Sequence, residues 1–409
     1  MKKIYQTLLI ALVFGLLLGA CNSQTPTSSP TTSLETSYPV SGLPSPTDVT
    51  YPIETPTAEP TALPTHTPTT PTPSVGLPIY RLHMFADGSG WAFNSNQSAL
   101  YHTTNGGLSW FTVYPSAGGS LEAGSVDGFF LDGSTAWLSL SDYATETSSI
   151  LHTTDSGATW SETPLTFLGG TLFFLDNNTG FMLSRLGAGA GSEWVAIYAT
   201  SDAGQTWEQR FTHTPGGEEP SLPAGGIKSG FAFLDPLNGW ITGSEPVNDF
   251  VYLYRTTDGG TTWAHQPCDI ADADPDAMYN SFPPIFVSET EGFLPLQTFL
   301  MDGTAQTIVC KTTDGGQTWQ SVSSTPIQGY VFDFTDDQNG WILGETALFR
   351  STDGATTWED LSSSLPAGYT ALSLDFVDAQ AGWLLVYDSS SDSLDHNLLF
   401  YSQNGGQTW

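Results

Sequence analysis

One eight-residue stretch recurs seven times along this chain, and its spacing constrains the fold more than any other feature. Each copy begins with Thr or Ser, has Asp or Asn at its third position followed by two small residues, and ends in Trp. We name these stretches octets; they span 103–110, 153–160, 200–207, 256–263, 312–319, 351–358 and 402–409. Self-similarity at a period of roughly fifty residues is typical of a propeller or a solenoid.

The octet has the composition of a tight turn between two strands. An Asp or Asn side chain can fold back onto backbone N–H groups, glycine adopts positive φ without a steric penalty, and the closing Trp has a large ring to bury. Seven near-identical turns are what a repeat protein needs, whereas seven identical catalytic sites would be unusual. We therefore predict a structural turn role for the third-position residues, which are Asn105, Asp155, Asp202, Asp258, Asp314, Asp353 and Asn404.

A second repeat lies between the octets and completes the pattern. A polar residue, a short turn, a small residue and an aromatic residue follow an apolar run, as in Asp235…Gly239-Trp240 and Asp336…Gly340-Trp341. We interpret these segments as the first strand, a tight turn and the second strand, with the third strand before each octet and the fourth after it. Four strands in each of seven units predict an all-β, seven-bladed β-propeller. Nothing follows the last octet, so the last blade is expected to be incomplete unless Ser74–Ile79 supplies its fourth strand or the sequence is truncated.

The octets resemble the Asp-box, also called the bacterial neuraminidase repeat, over about residues 80–409. Sialidases, sortilin-type receptors, xyloglucan-degrading hydrolases and the photosystem II stability/assembly factor family carry this repeat. The spacing is most similar to that of the assembly factor family, which implies a non-catalytic propeller with the boxes on the side away from the ligand site. The photosynthetic role is not carried over, because those relatives engage partners through basic patches and this chain is poor in arginine.

The first 76 residues have a different composition and predict export and anchoring. Met1-Lys-Lys and the apolar run Leu8–Leu18 have the form of a signal peptide over 1–20. Leu18-Gly-Ala-Cys21 resembles the bacterial lipoprotein cleavage site, which implies that Cys21 is lipidated and holds the protein on the outer face of a bacterial cell membrane. The alternative is an ordinary signal peptide with an incidental cysteine. Residues 21–76 are rich in Thr, Pro and Ser, which predicts a disordered stalk ahead of the propeller at 77–409.

The net charge limits which classes of partner this protein can bind. The formal net charge is −33, with 9 Lys and Arg against 42 Asp and Glu, so nucleic-acid binding is excluded and a solvated acidic coat is expected.

Cys268 and Cys310 lie in neighbouring units and can form a disulfide in an exported protein, although sequence does not determine their distance. We predict no cofactor and no metal site. The acidic run Asp272–Asp276 is a surface loop or a loose calcium site, since Ala277 stands where an EF-hand requires Gly.

Any ligand face should lie opposite the octets, on the loops between second and third strands and on the connections between blades. The exposed aromatic and acidic candidates there are Tyr143, Glu193, Trp194, Glu245, Asp249, Phe250 and Tyr387. For each of them, ordinary loop packing is the competing interpretation.

Two functions fit this organisation. The first is a monomeric, non-catalytic scaffold at the cell surface that binds a protein or glycan partner. The second is a glycoside hydrolase of sialidase or xyloglucanase type. Sialidases hold a substrate carboxylate with three arginines, and the arginines of this chain are hard to bring together because Arg255 and Arg350 directly precede octets. A hydrolase with two carboxylates is harder to exclude, since acidic residues are abundant. The binding scaffold is the preferred hypothesis.

Overall fold

The computed structural model describes residues 78–114, 124–142, 147–214, 221–388 and 397–409. The chain divides into two units, 1–72 and 73–409, and all described residues lie in the second. The predicted signal peptide, the predicted lipidation site Cys21, the predicted stalk and Tyr143 therefore lie outside the described residues. Among the residues described, no helix is long and apolar enough to cross a membrane.

Strands dominate the regular structure, and we number the repeats 1 to 7 by their octets. Apart from a short 3₁₀ turn at Ser362–Ser364, the described residues form β1 Arg81–Met84, β2 Gly90–Phe93, β3 Leu100–Thr103 and β4 Phe111–Tyr114 in repeat 1; β5 Gly124–Phe130, β6 Ala136–Asp142, β7 Thr147–Thr153 and β8 Ser161–Leu165 in repeat 2; β9 Gly170–Phe174, β10 Gly180–Gly189, β11 Ser192–Thr200 and β12 Glu208–Thr212 in repeat 3; β13 Ile227–Phe233, β14 Gly239–Ser244, β15 Tyr252–Thr256 and β16 Ala264–His265 in repeat 4; β17 Met278–Ser281, β18 Ile285–Phe286, β19 Gly292–Phe299, β20 Ala305–Thr312 and β21 Gln320–Thr325 in repeat 5; β22 Val331–Phe334, β23 Gly340–Leu343, β24 Leu348–Ser351 and β25 Glu359–Asp360 in repeat 6; and β26 Tyr369–Phe376, β27 Gly382–Asp388 and β28 Leu398–Ser402 in repeat 7.

Within each repeat, consecutive strands pair antiparallel, as the hairpin pattern in the sequence predicts. Repeat 5 departs from this pattern because β17 and β18 both pair with β19. A single bridge between Ser244 and Asn280 joins repeats 4 and 5 into one nine-stranded sheet. The described strands therefore form six sheets by hydrogen bonding, and the count of seven blades stays a prediction. The all-β propeller architecture itself is confirmed.

The core lies between neighbouring repeats. The second strands are the most buried, because both of their faces contact another sheet; every residue of β2 and of β23 is buried. The aromatic residue that ends a first strand stacks on the second-strand aromatic of the preceding repeat, with ring centroids 3.8 Å apart for Trp341 and Phe376 and 4.0 Å for Phe293 and Phe334. Burial of these rings between the sheets is the main stabilisation of the ring of repeats.

Repeats 1 and 7 are in contact, so the ring of sheets closes. Ile79, Leu82 and Met84 form one buried cluster with Trp383 and Leu385. The Asn397 side-chain amide donates a hydrogen bond to the Ile79 carbonyl. Repeat 7 has three strands among the described residues. Residues 74–77 of the expected fourth strand lie outside the described part of the chain.

Candidate functional site

The octets lie at one end of the sheets, together with the turns between first and second strands. In every repeat, the backbone N–H of the fourth octet residue donates to a carbonyl of that turn. The seven donor–acceptor pairs are Gly106–Gly88, Ser156–Ser134, Ala203–Asn178, Gly259–Leu237, Gly315–Thr290, Gly354–Gln338 and Gly405–Gln380. We call this end the octet face. Because the strands are antiparallel, the second-to-third-strand loops and the connections between repeats lie at the opposite end, the loop face.

The carboxylates of the octets accept hydrogen bonds from residues of the same turn. Asp258 Oδ1 accepts hydrogen bonds from the Thr256 hydroxyl and the Thr262 N–H, both at 2.8 Å, and Oδ2 accepts from the Thr262 hydroxyl at 2.6 Å. Burial raises the pKa of Asp258, but these hydrogen bonds outweigh it and hold the pKa below its usual value. The other six octets have the same two hydrogen bonds. In each, the side-chain oxygen of the third residue accepts from the hydroxyl of the first residue and from the N–H of the seventh residue. These third residues are Asn105, Asp155, Asp202, Asp314, Asp353 and Asn404.

The candidate residues of repeats 3 and 4 separate into two groups. Glu193 and Trp194 lie at the start of β11, and Glu193 approaches the first strand of repeat 4. Asp249 and Phe250 lie in the loop before β15. The Asp249 N–H donates to the Ala277 carbonyl at 2.8 Å, and the Phe250 ring stacks on His265 with centroids 4.8 Å apart. Local packing therefore engages Asp249 and Phe250.

Lys228 organises the other group, and sequence reasoning missed it. Its side chain is 1% exposed, and Nζ lies within 2.9–3.3 Å of five carbonyl oxygens, those of Glu193, Pro223, Ala224, Gly225 and Gly226. An ammonium group has three protons to share among these acceptors. The only sequence signal was a lysine inside an apolar first strand of a chain with few basic residues.

Two carboxylates and an arginine complete this cluster. Glu193 Oε2 accepts the Lys228 backbone N–H at 2.7 Å, and Glu193 Oε1 pairs with Arg185 Nη1. Burial lowers the pKa of Lys228 to about 8, although the negative charges of Glu193 and Glu245 act in the opposite direction. Burial also raises the pKa of Tyr252, whose ring lies 5.2 Å from Lys228 Nζ. The sequence-predicted Glu193 thus contacts a buried cation, and the charge of Glu245 acts on the same cation.

The cluster joins two loops of the loop face. Glu193 N–H donates to the Ala224 carbonyl at 2.8 Å, and Gly226 N–H donates to the Gly191 carbonyl at 2.9 Å. The β10–β11 hairpin is therefore fastened to the connection before β13. Large apolar side chains on these elements and on the adjacent β14–β15 loop stay exposed, and we call them the apolar rim: Leu186, Trp194, Ile227 and Val247.

Tyr387 lies in repeat 7 with a separate group of tyrosines. Tyr330 donates its hydroxyl hydrogen to the Ala371 carbonyl at 2.7 Å. Burial raises the pKa of Tyr330, with further contributions from Glu345, Tyr80 and Tyr387. Tyr80 and Tyr330 are each partly exposed just before a first strand. These tyrosines belong to repeats 1, 6 and 7, whereas the apolar rim belongs to repeats 3 and 4.

An acidic pair lies on the first strands of repeats 6 and 7, with Asp375 buried and Asp333 partly buried, and it too was missed from sequence. Asp333 Oδ2 accepts the Phe376 N–H at 2.5 Å, and Asp375 Oδ2 accepts the Met84 N–H at 2.6 Å. His83 Nδ1 lies 3.1 Å from the same Asp375 oxygen. Burial and the charge of Asp375 raise the pKa of Asp333 to about 8. Burial lowers the pKa of His83, but the hydrogen bond and charge of Asp375 outweigh it and raise the pKa overall. A signal was present, since each Asp precedes the aromatic residue that ends its strand.

Arg255 and Arg350 lie at the octet face, as their positions before octets predict. Arg255 Nη2 donates to the Asn238 side-chain oxygen at 3.0 Å, and Arg350 Nη2 donates to the Ala379 carbonyl at 2.8 Å. Arg185 pairs with Glu193 near the loop face instead. These three arginines therefore do not converge on one anion site.

Cys268 and Cys310 are joined by a disulfide, with their Cα atoms 6.8 Å apart. The adjoining aspartates Asp272, Asp274 and Asp276 are exposed. Among the described residues, no group of three or more His, Cys, Asp or Glu side chains is arranged to hold a metal ion.

Comparison with known proteins supports the architecture. No protein-family model matches the chain, and no curated protein matches it by sequence. A structure titled YCF48 bound to D1 peptide matches with a TM-score of 0.51 and 19% identity, covering 81% of this chain and 95% of that one. The GH74 enzyme of Niastella koreensis matches with a TM-score of 0.51 and 14% identity over 82% of this chain and 66% of its own.

The GH74 xyloglucanase of Xanthomonas campestris matches with a TM-score of 0.51 and 13% identity, covering 81% of this chain and 55% of that one. The chain thus spans about two thirds and about half of the two GH74 structures. At these identities the likeness concerns the fold alone. The strand pairing and these similarities together identify the chain as a β-propeller.

Proposed function

We propose that this protein is a non-catalytic scaffold that binds a polypeptide partner through the apolar rim of its loop face. The observation that carries the proposal is the exposure of Trp194, which is 38% exposed on loops that the Lys228 cluster holds together. Tryptophan is enriched among the residues that dominate binding energy at protein interfaces. Loops fixed before binding lose less conformational entropy when a partner docks.

The composition of the rim favours a polypeptide over a glycan. The other three rim residues, Leu186, Ile227 and Val247, are aliphatic, whereas carbohydrate recognition would need a larger share of polar groups. The net charge of −33 favours a neutral or basic partner. The YCF48 structure contains a peptide, which is compatible with this proposal but shows nothing about the partner of this chain.

Placement of the scaffold outside the cell membrane belongs to the same proposal. It rests on Leu18-Gly-Ala-Cys21 and on the Thr- and Pro-rich residues 21–76. Replacement of Cys21 by Ala should abolish lipid labelling and release the protein from the membrane fraction. Unchanged lipid labelling would contradict the proposed lipid anchor at Cys21. It would not test binding through the apolar rim.

The rim is tested by site-specific photocrosslinking in the producing cells. A benzophenone amino acid at Trp194 or Ile227 should give the same crosslinked polypeptide. The same probe at Leu108 or Phe111, which are 74% and 64% exposed away from the loop face, should not. The Trp194→Ala substitution should then weaken binding of the purified partner by about tenfold or more, as expected for an interface hot spot. Leu108→Ala should leave binding unchanged. Equal crosslinking from the control positions, or unchanged binding by the Trp194 variant, would overturn the proposal.

A glycoside hydrolase is the second candidate, and the Asp333–Asp375 pair is the observation that favours it. A carboxyl group with its pKa raised to about 8 stays protonated at neutral pH, as a general acid must. However, both carboxylates accept backbone N–H groups of the next repeat, which is a strand-linking arrangement. Hydrolysis of xyloglucan or sialosides that is lost in both Asp333→Asn and Asp375→Asn would replace the scaffold proposal with this one.

A further inference from the structure

Repeat 5 contains a cavity whose lining includes none of the four apolar-rim residues. Its volume is about 450 Å³, within the range of about 300–1,000 Å³ usual for small-ligand sites. The connection from repeat 4, residues 270–277, forms one wall, and strands β19, β20 and β21 form the other. The wall residues that carry polar groups include Asp272, Asp274, Tyr279, Thr298, Gln306 and Ser324.

The wall formed by 270–277 is fixed at both ends. At its start, the Cys268–Cys310 disulfide ties it to β20. Asp269 then exchanges hydrogen bonds with β21, donating its N–H to the Trp319 carbonyl at 2.9 Å and accepting the Ser321 N–H at 2.8 Å. At the other end, the Ala277 carbonyl accepts the Asp249 N–H at 2.8 Å. The cavity is therefore a built feature of the fold.

Thr298 supplies a polar group without a partner. Thr298 is 1% exposed, and among the described residues no group forms a hydrogen bond with its Oγ1. Buried hydroxyl groups are normally paired, and an unpaired one costs free energy. Thr298 lies opposite Tyr279 and Gln306 in the strand register, in the wall of the cavity. A ligand with hydrogen-bond donors would satisfy it.

The mouth of the cavity is acidic. Asp272 and Asp274 are exposed, and neither takes part in the salt bridges found within the described residues. Asp274 and Tyr279 both line the cavity. Burial raises the pKa of Tyr279, and the negative charges of Asp249 and Asp274 add to this effect. Apolar side chains, including Leu300 and Ile308, line the remainder. The lining therefore combines an acidic entrance, hydroxyl acceptors and apolar walls.

We infer that this cavity binds an organic cation, an ammonium or guanidinium group on an apolar stem. The stem would contact Leu300 and Ile308, and the charged group would lie between Asp274 and the Thr298 hydroxyl. Both a free polyamine and a basic side chain of a peptide have this chemistry. The cavity shares no lining residue with the apolar rim. The cation-binding inference can therefore fail while the scaffold proposal holds, and the scaffold proposal can fail while this inference holds.

The test is calorimetric titration of the purified full chain with spermidine and with the peptide acetyl-Ala-Lys-Ala-amide. Binding that weakens as salt rises is expected, and the tighter of the two probes identifies the source of the cation. Acetylation of the lysine should weaken peptide binding at least tenfold. Asp274→Asn and Thr298→Val should each weaken binding of the tighter probe about fivefold or more. Thr298→Val conserves side-chain shape and removes only the unpaired hydroxyl, so it should fold normally, as checked by circular dichroism.

Asp302→Asn is the matched control, since Asp302 is an exposed aspartate in the nearby β19–β20 loop but does not line the cavity. It should bind as the wild type does. The inference is overturned if neither probe binds, if the acetylated peptide binds equally well, or if Asp302→Asn weakens binding as much as Asp274→Asn. Binding of Ca²⁺ alone that excludes both probes would also overturn it, because the site would then hold a metal.

Discussion

Trp341 Nε1 donates a hydrogen bond of 3.0 Å to the carbonyl oxygen of Gly405, the fourth residue of the next repeat's octet. Trp137 bonds to Ala203 and Trp383 to Gly106 in the same way, both at 2.9 Å. The octet therefore turns its own chain and accepts a bond from the neighbouring sheet. The Trp383–Gly106 bond closes the ring between repeats 7 and 1.

An octet substitution should affect stability and leave binding intact. Asp258→Ala removes the acceptors for Thr256 and Thr262, and it should lower the free energy of unfolding by about 1 kcal/mol, as loss of a helix cap does. Asp258→Asn is the control and should cost less than about 0.5 kcal/mol, since Asn105 and Asn404 make the equivalent acceptor bonds. Urea unfolding measures both. An equal loss in the Asn variant would contradict the turn role.

The Asp333–Asp375 pair should make stability fall as the pH rises. The folded protein retains a proton on Asp333 up to about pH 8, whereas the unfolded chain releases it near pH 3.8. The folded state thus binds more protons between these values, so the free energy of unfolding decreases there, by at most about 1.4 kcal/mol per pH unit. The raised pKa of His83 acts in the same direction as the pH passes through it.

Asp333→Asn removes this titration and keeps an oxygen for the Phe376 N–H. We expect its urea midpoint to exceed that of the wild type already at pH 5, and by a larger margin at pH 8. Asp337→Asn, at an exposed position in the next turn, should follow the wild type at both values. If the wild-type midpoint rises between pH 5 and pH 8 relative to Asp333→Asn, the assignment of the retained proton is wrong.

Lys228 should contribute far more to stability than Lys311, which forms an ion pair with Glu291. Lys228→Met leaves five carbonyl oxygens without their donor and removes a counter-charge of Glu193, so a loss of about 3–5 kcal/mol is expected. Lys311→Met is the control; Lys311 pairs with Glu291 at 3.3 Å in a more exposed position and should cost about 1 kcal/mol or less. Hydrogen exchange should accelerate at Glu193 and Gly226 in the Lys228 variant alone. Unchanged exchange there would show that the cluster does not hold the rim loops.

The Cys268–Cys310 disulfide should stabilise the chain by closing a loop. The two cysteines are 42 residues apart, for which loop-closure entropy predicts a contribution of about 4 kcal/mol or less. The double variant Cys268→Ala, Cys310→Ala should lose stability by that order. Dithiothreitol should lower the urea midpoint of the wild type and leave that of the double variant unchanged. Free thiols at both positions in the non-reduced, denatured wild type would contradict this prediction.

The sequence alone determined the repeat, the turn role of the octets and the propeller architecture. These follow from interactions inside short segments: the Asp258 bonds to Thr256 and Thr262 span at most four residues, and Gly259 and Gly260 have the positive φ values of 70° and 90° that glycine readily adopts. Alternation of apolar and turn residues is likewise a local property. Such features are visible without knowledge of which repeats are neighbours.

Only the tertiary structure decided which charged residues meet. Glu193 and Lys228 are 35 residues apart, and Asp375 bonds to Met84 across 291 residues because the ring closes. The candidate positions that sequence assigned to loops therefore had different outcomes: Glu193 lies in β11 and supports a buried cation, Phe250 stacks on His265, and Trp194, also in β11, stays exposed. Burial and pairing depend on the register and twist of neighbouring sheets, and charge effects such as the raised pKa of Asp333 follow from that geometry.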